Sequence, residues 1–284
     1  MIDWLTEPFT LLFMQRALAA SLIVGVVCSV LGCFVVLRSM AFLGDALAHA
    51  ILPGIAVAYL LGVNLVAGAL VAALLVAFGI GLFSRGGTIR EDTAIGIMFA
   101  AALSLGVLLI STVRTYATDL THILFGNVLG VTGADLWLTG GLAALVLAIL
   151  LLLYKEFVLA AFDPVLAHTL GRRPELMRSL MLVLLALTIV VSLQTVGVGL
   201  VAAMLVTPGA TASLLTRRLP AMMAVAAAVG VVSSVVGLYL SYYLDVSSGA
   251  AIVLTATGLF VTAFLFAPRR GVVWRLGSRG PSAA

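Results

Sequence analysis

The chain reads as an all-α polytopic membrane protein with eight to nine transmembrane helices, and three observations carry that expectation. Hydrophobic residues make up 63% of its 284 residues and charged residues only 9%, whereas soluble domains run to about 45–50% apolar and roughly 25% charged. The mean hydropathy is +1.29. The apolar residues lie in long runs, and at about 20 residues per helical span these runs leave no separate soluble domain of ~100 residues or more. Residues 1–284 are therefore read as a single transmembrane domain, and a water-soluble enzyme is excluded.

In order, nine candidate spans fall at 13–37, 42–61, 64–84, 92–112, 135–154, 176–196, 198–216, 220–243 and 249–267. The first follows a short N-terminus, 1–12, which carries Asp3 and Glu7 but no Lys or Arg in its opening residues. A cleaved signal peptide has a cationic start and is not expected here. Cys28 and Cys33 lie in this first span, about 140° apart around a helix, and are expected as core fillers rather than a disulfide or thiolate metal site. Small residues four apart, Gly25/Ser29, Gly96/Ala100 and Gly230/Ser234, suit close helix contact. The spans 176–196 and 198–216 meet at Gly197-Val198-Gly199, and the second carries Thr207-Pro208-Gly209, so one of the two can be broken or re-entrant. Asp245 with Ser247-Ser248-Gly249 reads as a turn and helix start. The polar tail, 268–284, ends in a Gly/Pro/Ser-containing stretch expected to be disordered.

Cationic residues orient the spans. With the C-terminus cytoplasmic and the N-terminus external, only Arg16 and Arg114 of the 15 Lys and Arg residues fall outside. The inner connections are then 38–41, 85–91, 155–175 and 216–220, and the longest outer one is 113–134. The net charge of +4 reflects this topology rather than nucleic-acid binding.

Within the spans, Asp45 and His49 stand out. They are four apart, so one helical face presents both. Ionisable groups at membrane depth mark an ion or substrate pathway by default, and a carboxylate with an imidazole suits borderline divalent metals rather than Cu(I). Two ligands do not close a four-coordinate site, but a two-fold dimer with this face at its axis supplies two of each. The spacing alone is equally that of a proton relay, or of a self-neutralising pair at a helix start. Pro53, four residues after His49, disturbs the helix between them. Asp119 and His122, in the outer connection, form a weaker candidate for first contact with an ion, and His168 is expected to be solvated or at a protein contact.

The segment 155–175 is too long and too mixed for a minimal connection. Asp163 before Pro164 is a helix start and Gly171 a stop, leaving Phe162, Val165, Leu166 and Leu170 available to a partner or to the base of the bundle. There is no Gly-x-x-x-x-Gly-Lys-Ser/Thr loop, His-Glu-x-x-His or Gly-x-Ser-x-Gly motif. Any ATP-driven step would need an ATPase on another chain.

Seven stretches in order make the chain resemble the membrane permease subunits of the zinc/manganese/iron ATP-binding-cassette importer family, from residue 13 to about 266. They are Phe13-Met-Gln-Arg-Ala-Leu18, Leu31-Gly-Cys-Phe-Val-Val-Leu-Arg38, Gly44-Asp-Ala-Leu-Ala-His-Ala-Ile-Leu-Pro-Gly54, Glu91-Asp-Thr-Ala-Ile-Gly96, Leu124-Phe-Gly-Asn-Val-Leu-Gly130, Phe162-Asp-Pro-Val-Leu-Ala-His-Thr-Leu-Gly171 and Thr195-Val-Gly-Val-Gly-Leu200. The resemblance implies a fold similar to that of vitamin B12 and siderophore importer permeases. It implies a homodimer in the cytoplasmic membrane, coupled to cytoplasmic ATPase subunits and supplied by an extracytoplasmic metal-binding protein. A divalent metal ion is then the substrate, with no permanently bound cofactor, and the remaining contacts are with membrane lipid and not nucleic acid. The Gly-Asp-x-x-x-His element makes Asp45 and His49 metal-contacting groups of the path. The Phe-Asp-Pro-x-x-Ala-x-x-x-Gly element places Phe162, Asp163, Pro164, Ala167 and Gly171 in the coupling helix against the ATPase. Leu52-Pro53-Gly54 looks more like the manganese and iron branch than the zinc branch. The competing expectations are a metal-chelate importer that does not need Asp45 and His49, a proton-coupled secondary transporter that uses them as a relay, and a membrane scaffold that tolerates their loss.

Overall fold

The computed structural model describes residues 10–85, 89–111 and 128–267. Its helices are α1 (Leu12–Leu37), α2 (Leu43–Ala50), α3 (Leu52–Leu60), α4 (Leu65–Phe83), α5 (Glu91–Ser111), α6 (Gly133–Leu152), α7 (Tyr154–Phe162), α8 (Pro164–Thr169), α9 (Pro174–Val196), α10 (Val198–Leu215), α11 (Leu219–Leu244) and α12 (Ser248–Phe266). Among the described residues nine helical stretches are long and apolar enough to cross a membrane, with α2 and α3 together forming one. All nine expected spans are present, within two residues of their expected ends. Asp119, His122, the first nine residues and the tail 268–284 lie outside the described residues.

The helices form two groups. In one, α1 packs against α10 and α11, with α12 behind them; in the other, α4 packs against α3, α5 and α9. Contacts of α1 with α9, and of α2 with α5, α9 and α10, join the groups. Helix packing relies on small residues, because lipid tails give apolar side chains no drive to leave them. Two of the small-residue pairs meet each other: a Cβ on Gly25 would touch Ser234 Oγ and the Gly230 carbonyl, and one on Gly230 would touch Ser29 Oγ and the Gly25 carbonyl. Ser234 Oγ also donates to the Ser21 carbonyl at 3.1 Å, tying α11 to α1. By contrast, among the described residues nothing lies within 4 Å of a Cβ placed on Gly96. Between α3 and α4 the approach is closest at Gly54 and Gly68, where a side chain on either would run into the other's backbone carbonyl. Cys28 and Cys33 are both buried free thiols, as core fillers should be.

The turns explain where the spans stop. Asn64 caps α4 by accepting from Val66 N at 2.8 Å, and Thr132 and Asp135 form a reciprocal capping box at the start of α6. At Gly197, φ is 85°, a conformation that L side chains avoid, and the chain passes there from α9 to α10. The expected turn and helix start are present: Asp245 ends α11 in the left-handed conformation, φ 55°, and α12 begins at Ser248, although Ser247 before it makes no side-chain cap bond. The turn is present, but the hydroxyl cap is not.

At one end of the bundle, here termed the base, four helices are pinned by charge. Glu91 Oε1, at the start of α5, pairs with Arg178 Nε of α9 and with Arg38 Nη2, after α1, at 3.5 Å. Arg178 Nη1 donates to the Ser84 carbonyl at 3.1 Å, its Nη2 donates to Ser84 Oγ, and Glu175 lies 3.7 Å away. Burial pulls the Arg38 guanidinium below its ordinary value, and Glu91 works against that shift.

Two outcomes follow for stability. Gly54→Val forces α3 away from α4 and should cost about 2 kcal/mol, lowering the melting temperature in detergent, whereas Gly96→Val should leave it unchanged. Glu91→Gln leaves two cations facing each other at the base and should cost about 3 kcal/mol, read by the same melt and by lower membrane yield.

Candidate functional site

The intramembrane candidate is built on α2. Leu43, Leu47 and Ile51 recur every fourth residue and are fully or almost fully buried, which anchors one face of the helix. Phe42, Asp45 and His49, spaced three and four apart, then share the opposite face. The side chains of His49 and Asp45 are 32% and 45% exposed, so they line an outer surface of the single chain and are not interred in it. Past His49, Pro53 has no N–H to continue the ladder, and α2 ends at Ala50 while α3 begins at Leu52.

The local bonds fix how the pair presents itself. His49 Nδ1 lies 3.0 Å from the Asp45 carbonyl oxygen and 3.5 Å from Asp45 Oδ1. A carbonyl oxygen only accepts, so Nδ1 carries the proton and donates, and in the neutral ring the lone pair is on Nε2. Phe99 of α5 holds the imidazole from the side, its ring centroid 6.0 Å away and nearly perpendicular, and Phe42 meets Phe99 at 5.4 Å. The result is one nitrogen donor and one carboxylate per chain. Among the described residues no group of three or more His, Cys, Asp or Glu converges to hold a metal. Such a half-site can give an ion partial ligation but cannot enclose it.

A second candidate lies at the base. Asp163 accepts from Leu166 N at 2.8 Å and caps α8, with Pro164 in its first turn. Gly171, with φ 72°, ends the turn. The segment holds more structure than a single short helix, because α7 precedes α8 and anchors it. Phe157 is buried against Phe34 of α1, with ring centroids 6.2 Å apart, and Glu156 of α7 holds Arg172 at 2.8 Å. On α8 itself Ala167 is 1% exposed and faces inward, while Phe162, Val165, Leu166 and Leu170 form an exposed apolar surface. Phe162, Asp163, Pro164 and Gly171 are thus on the accessible side and Ala167 is the seat of the helix on the bundle. His168 is exposed.

Sequence reasoning brought Asp45 and His49 together correctly and missed Phe99 and the Arg38–Glu91–Arg178 cluster. Phe99 is one apolar residue among many in its span and carries no signal in the sequence. The charges did carry one, since Glu91 and Arg178 both sit at span ends, but only tertiary contact shows that they pair.

A family model described as "ABC 3 transport family" matches residues 10–267. A relative named "Manganese transport system membrane protein MntC", from Halalkalibacterium halodurans, is 49% identical over 263 residues, covering 93% of this chain and 90% of the relative. Another, "Chelated iron transport system membrane protein YfeD" of Yersinia pestis, is 41% identical over 262 residues, covering 92% of this chain and 88% of the relative. The solved structure of PsaBC from Streptococcus pneumoniae in complex with Fab superposes with a TM-score of 0.83 at 38% identity, over 97% of this chain and 100% of that one.

Proposed function

The chain belongs to the ABC 3 transport family, and from that membership we propose that it is the permease subunit of an ATP-driven importer that carries a divalent transition metal ion through Asp45 and His49. The observation that carries the reading is the incomplete and uncovered ligand pair. Two ionisable groups on the outer face of a membrane-spanning helix are costly against lipid, and two ligands are too few for a closed site. A second copy of the chain that presents the same face across a two-fold axis removes both problems, with two imidazoles and two carboxylates on a shared path.

The chemistry then follows from the geometry. His49 Nε2 and the Asp45 carboxylate offer one nitrogen and one oxygen from each copy, a donor set for manganese, zinc or iron. The 49% identity to a manganese transport protein favours manganese among them. Because Nδ1 is committed to Asp45, the ring is held with Nε2 ready, and Phe99 limits its rotation. Partial ligation also lets the ion leave, as passage requires. The excess of Arg and Lys at the base supports a cytoplasmic base and C-terminus and an external N-terminus. ATP is hydrolysed by separate cytoplasmic subunits that dock on the exposed apolar surface of α8, and an extracytoplasmic binding protein delivers the ion. ATP cycles close and open the dimer so that the path alternates its access.

The test is elemental accumulation in cells that carry the permease with its ATPase and binding protein, at matched membrane expression. One divalent metal should accumulate in wild type and fall to background, at least about tenfold, in Asp45→Ala and in His49→Ala, a loss the size of a missing metal ligand's partner or greater. Unchanged accumulation in both variants would overturn the path assignment. Uptake that survives in the variants only when the metal is offered as a chelate would favour the chelate importer, and uptake into vesicles without nucleotide would favour a proton-coupled carrier. At the base, Phe162→Asp or Leu166→Asp should abolish co-purification of the ATPase while leaving the melting temperature near that of wild type. Ala167→Asp should instead lower the melting temperature, because that site faces the bundle.

A further inference from the structure

A groove of about 1050 Å³ lies between α4, α8 and α9 at the base, and Pro164, Val165 and Gly171 of the α8 segment form its edge on the docking side. Its lining divides by depth. The wall toward the membrane is apolar, with Phe78 and Leu82 of α4 and Leu176 of α9 all more than half exposed, and both helices are membrane spans. Beyond the span ends the rim is basic: Arg85, His168, Arg172 and Arg173 line it, all of them exposed. The carboxylate in the lining, Glu175, lies 3.7 Å from Arg178, and Arg172 holds Glu156. Among the described residues no carboxylate lies within ion-pair distance of Arg85 or Arg173.

We infer that this groove seats an anionic phospholipid, its phosphate on the arginine rim and its acyl chains along Phe78, Leu82 and Leu176. Two features together select that occupant. Guanidinium groups with no carboxylate partner at a span end are suited to a phosphate, and basic pockets between spanning helices are where acidic headgroups bind. An apolar wall running along the ends of two spanning helices, next to the basic rim, is suited to acyl chains. Free phosphate would use the rim and leave the wall bare. The inference rests on the chain spanning a membrane and not on the ion it carries, so it stands or falls separately from Asp45 and His49.

Native mass spectrometry of the full chain assembled with its ATPase subunits tests it, with phosphatidylglycerol, phosphatidylcholine and inorganic phosphate as probes. Phosphatidylglycerol should be retained in preference to phosphatidylcholine, and the paired substitution Arg85→Ala/Arg173→Ala should weaken its binding roughly 10- to 30-fold without changing that of phosphatidylcholine. A Leu176→Trp chain, with every arginine in place, should show added fluorescence quenching over wild type when brominated phosphatidylglycerol is supplied. Equal retention of the two lipids, an unaffected arginine pair, or no added quenching at position 176 would overturn the proposal. So would release of the lipid by inorganic phosphate, which would mark a free-anion site, or its loss on docking of the ATPase, which would mark a protein seat.

Discussion

Hydrocarbon offers the backbone no hydrogen-bonding partner, and this constraint organises the molecule. Each span satisfies its own N–H and C=O groups as a helix, and wherever the ladder is interrupted the protein itself covers the gap. Ile51 and Pro53 at the break between α2 and α3, Gly197 between α9 and α10, and Pro208 within α10 are all buried. Many hydroxyls in the spans obey the same rule, although Ser29, Thr139 and Thr188 are buried without a partner among the described residues. Thr211 Oγ1 donates to the Thr207 carbonyl at 2.7 Å and Ser233 Oγ to that of Val229 at 2.7 Å, each within its own helix, and Ser234 reaches across to α1.

Against that background the Asp45–His49 pair is the exception that needs a purpose. Carboxylate and imidazole lie together on one face of a spanning helix, and the two side chains keep about a third or more of their surface open. A purely structural pair would be expected to turn inward, where carboxylate and imidazole could be shielded together. Their neighbours instead hold them outward: Leu43 and Leu47 fix the helix from behind, and Phe99 fixes the ring from beside it. The opening at His49 is therefore built by the fold.

Span positions and the α2 pair were legible in the sequence because both rest on local spacing. A run of apolar residues long enough to cross a bilayer reports itself without tertiary information, and the four-residue interval between Asp45 and His49 fixes a common face on any helix. The small pairs Gly25/Ser29 and Gly230/Ser234 were legible as contact surfaces but not as each other's partners, and Gly96 of the third pair, with the same spacing, meets nothing among the described residues. Spacing shows that a surface can be approached and says nothing of what approaches it.

The ion-pair cluster at the base links the two candidate regions. From α8 the chain runs through Arg172 and Arg173 directly into α9, whose Arg178 grips Ser84 of the α4 end and Glu91 of α5. Glu91 also holds Arg38, and only the short turn from Arg38 to Phe42 separates that contact from the helix that carries Asp45 and His49. α8 is thus joined to α2 by two routes, these charged contacts at the helix ends and the apolar packing of α2 on α5 and α9. Buried ion pairs contribute little net stability compared with apolar packing of the same volume. Their directional geometry suits them to holding four helix ends in a fixed relation, which is what a base must do if movement at α8 is to be felt at His49.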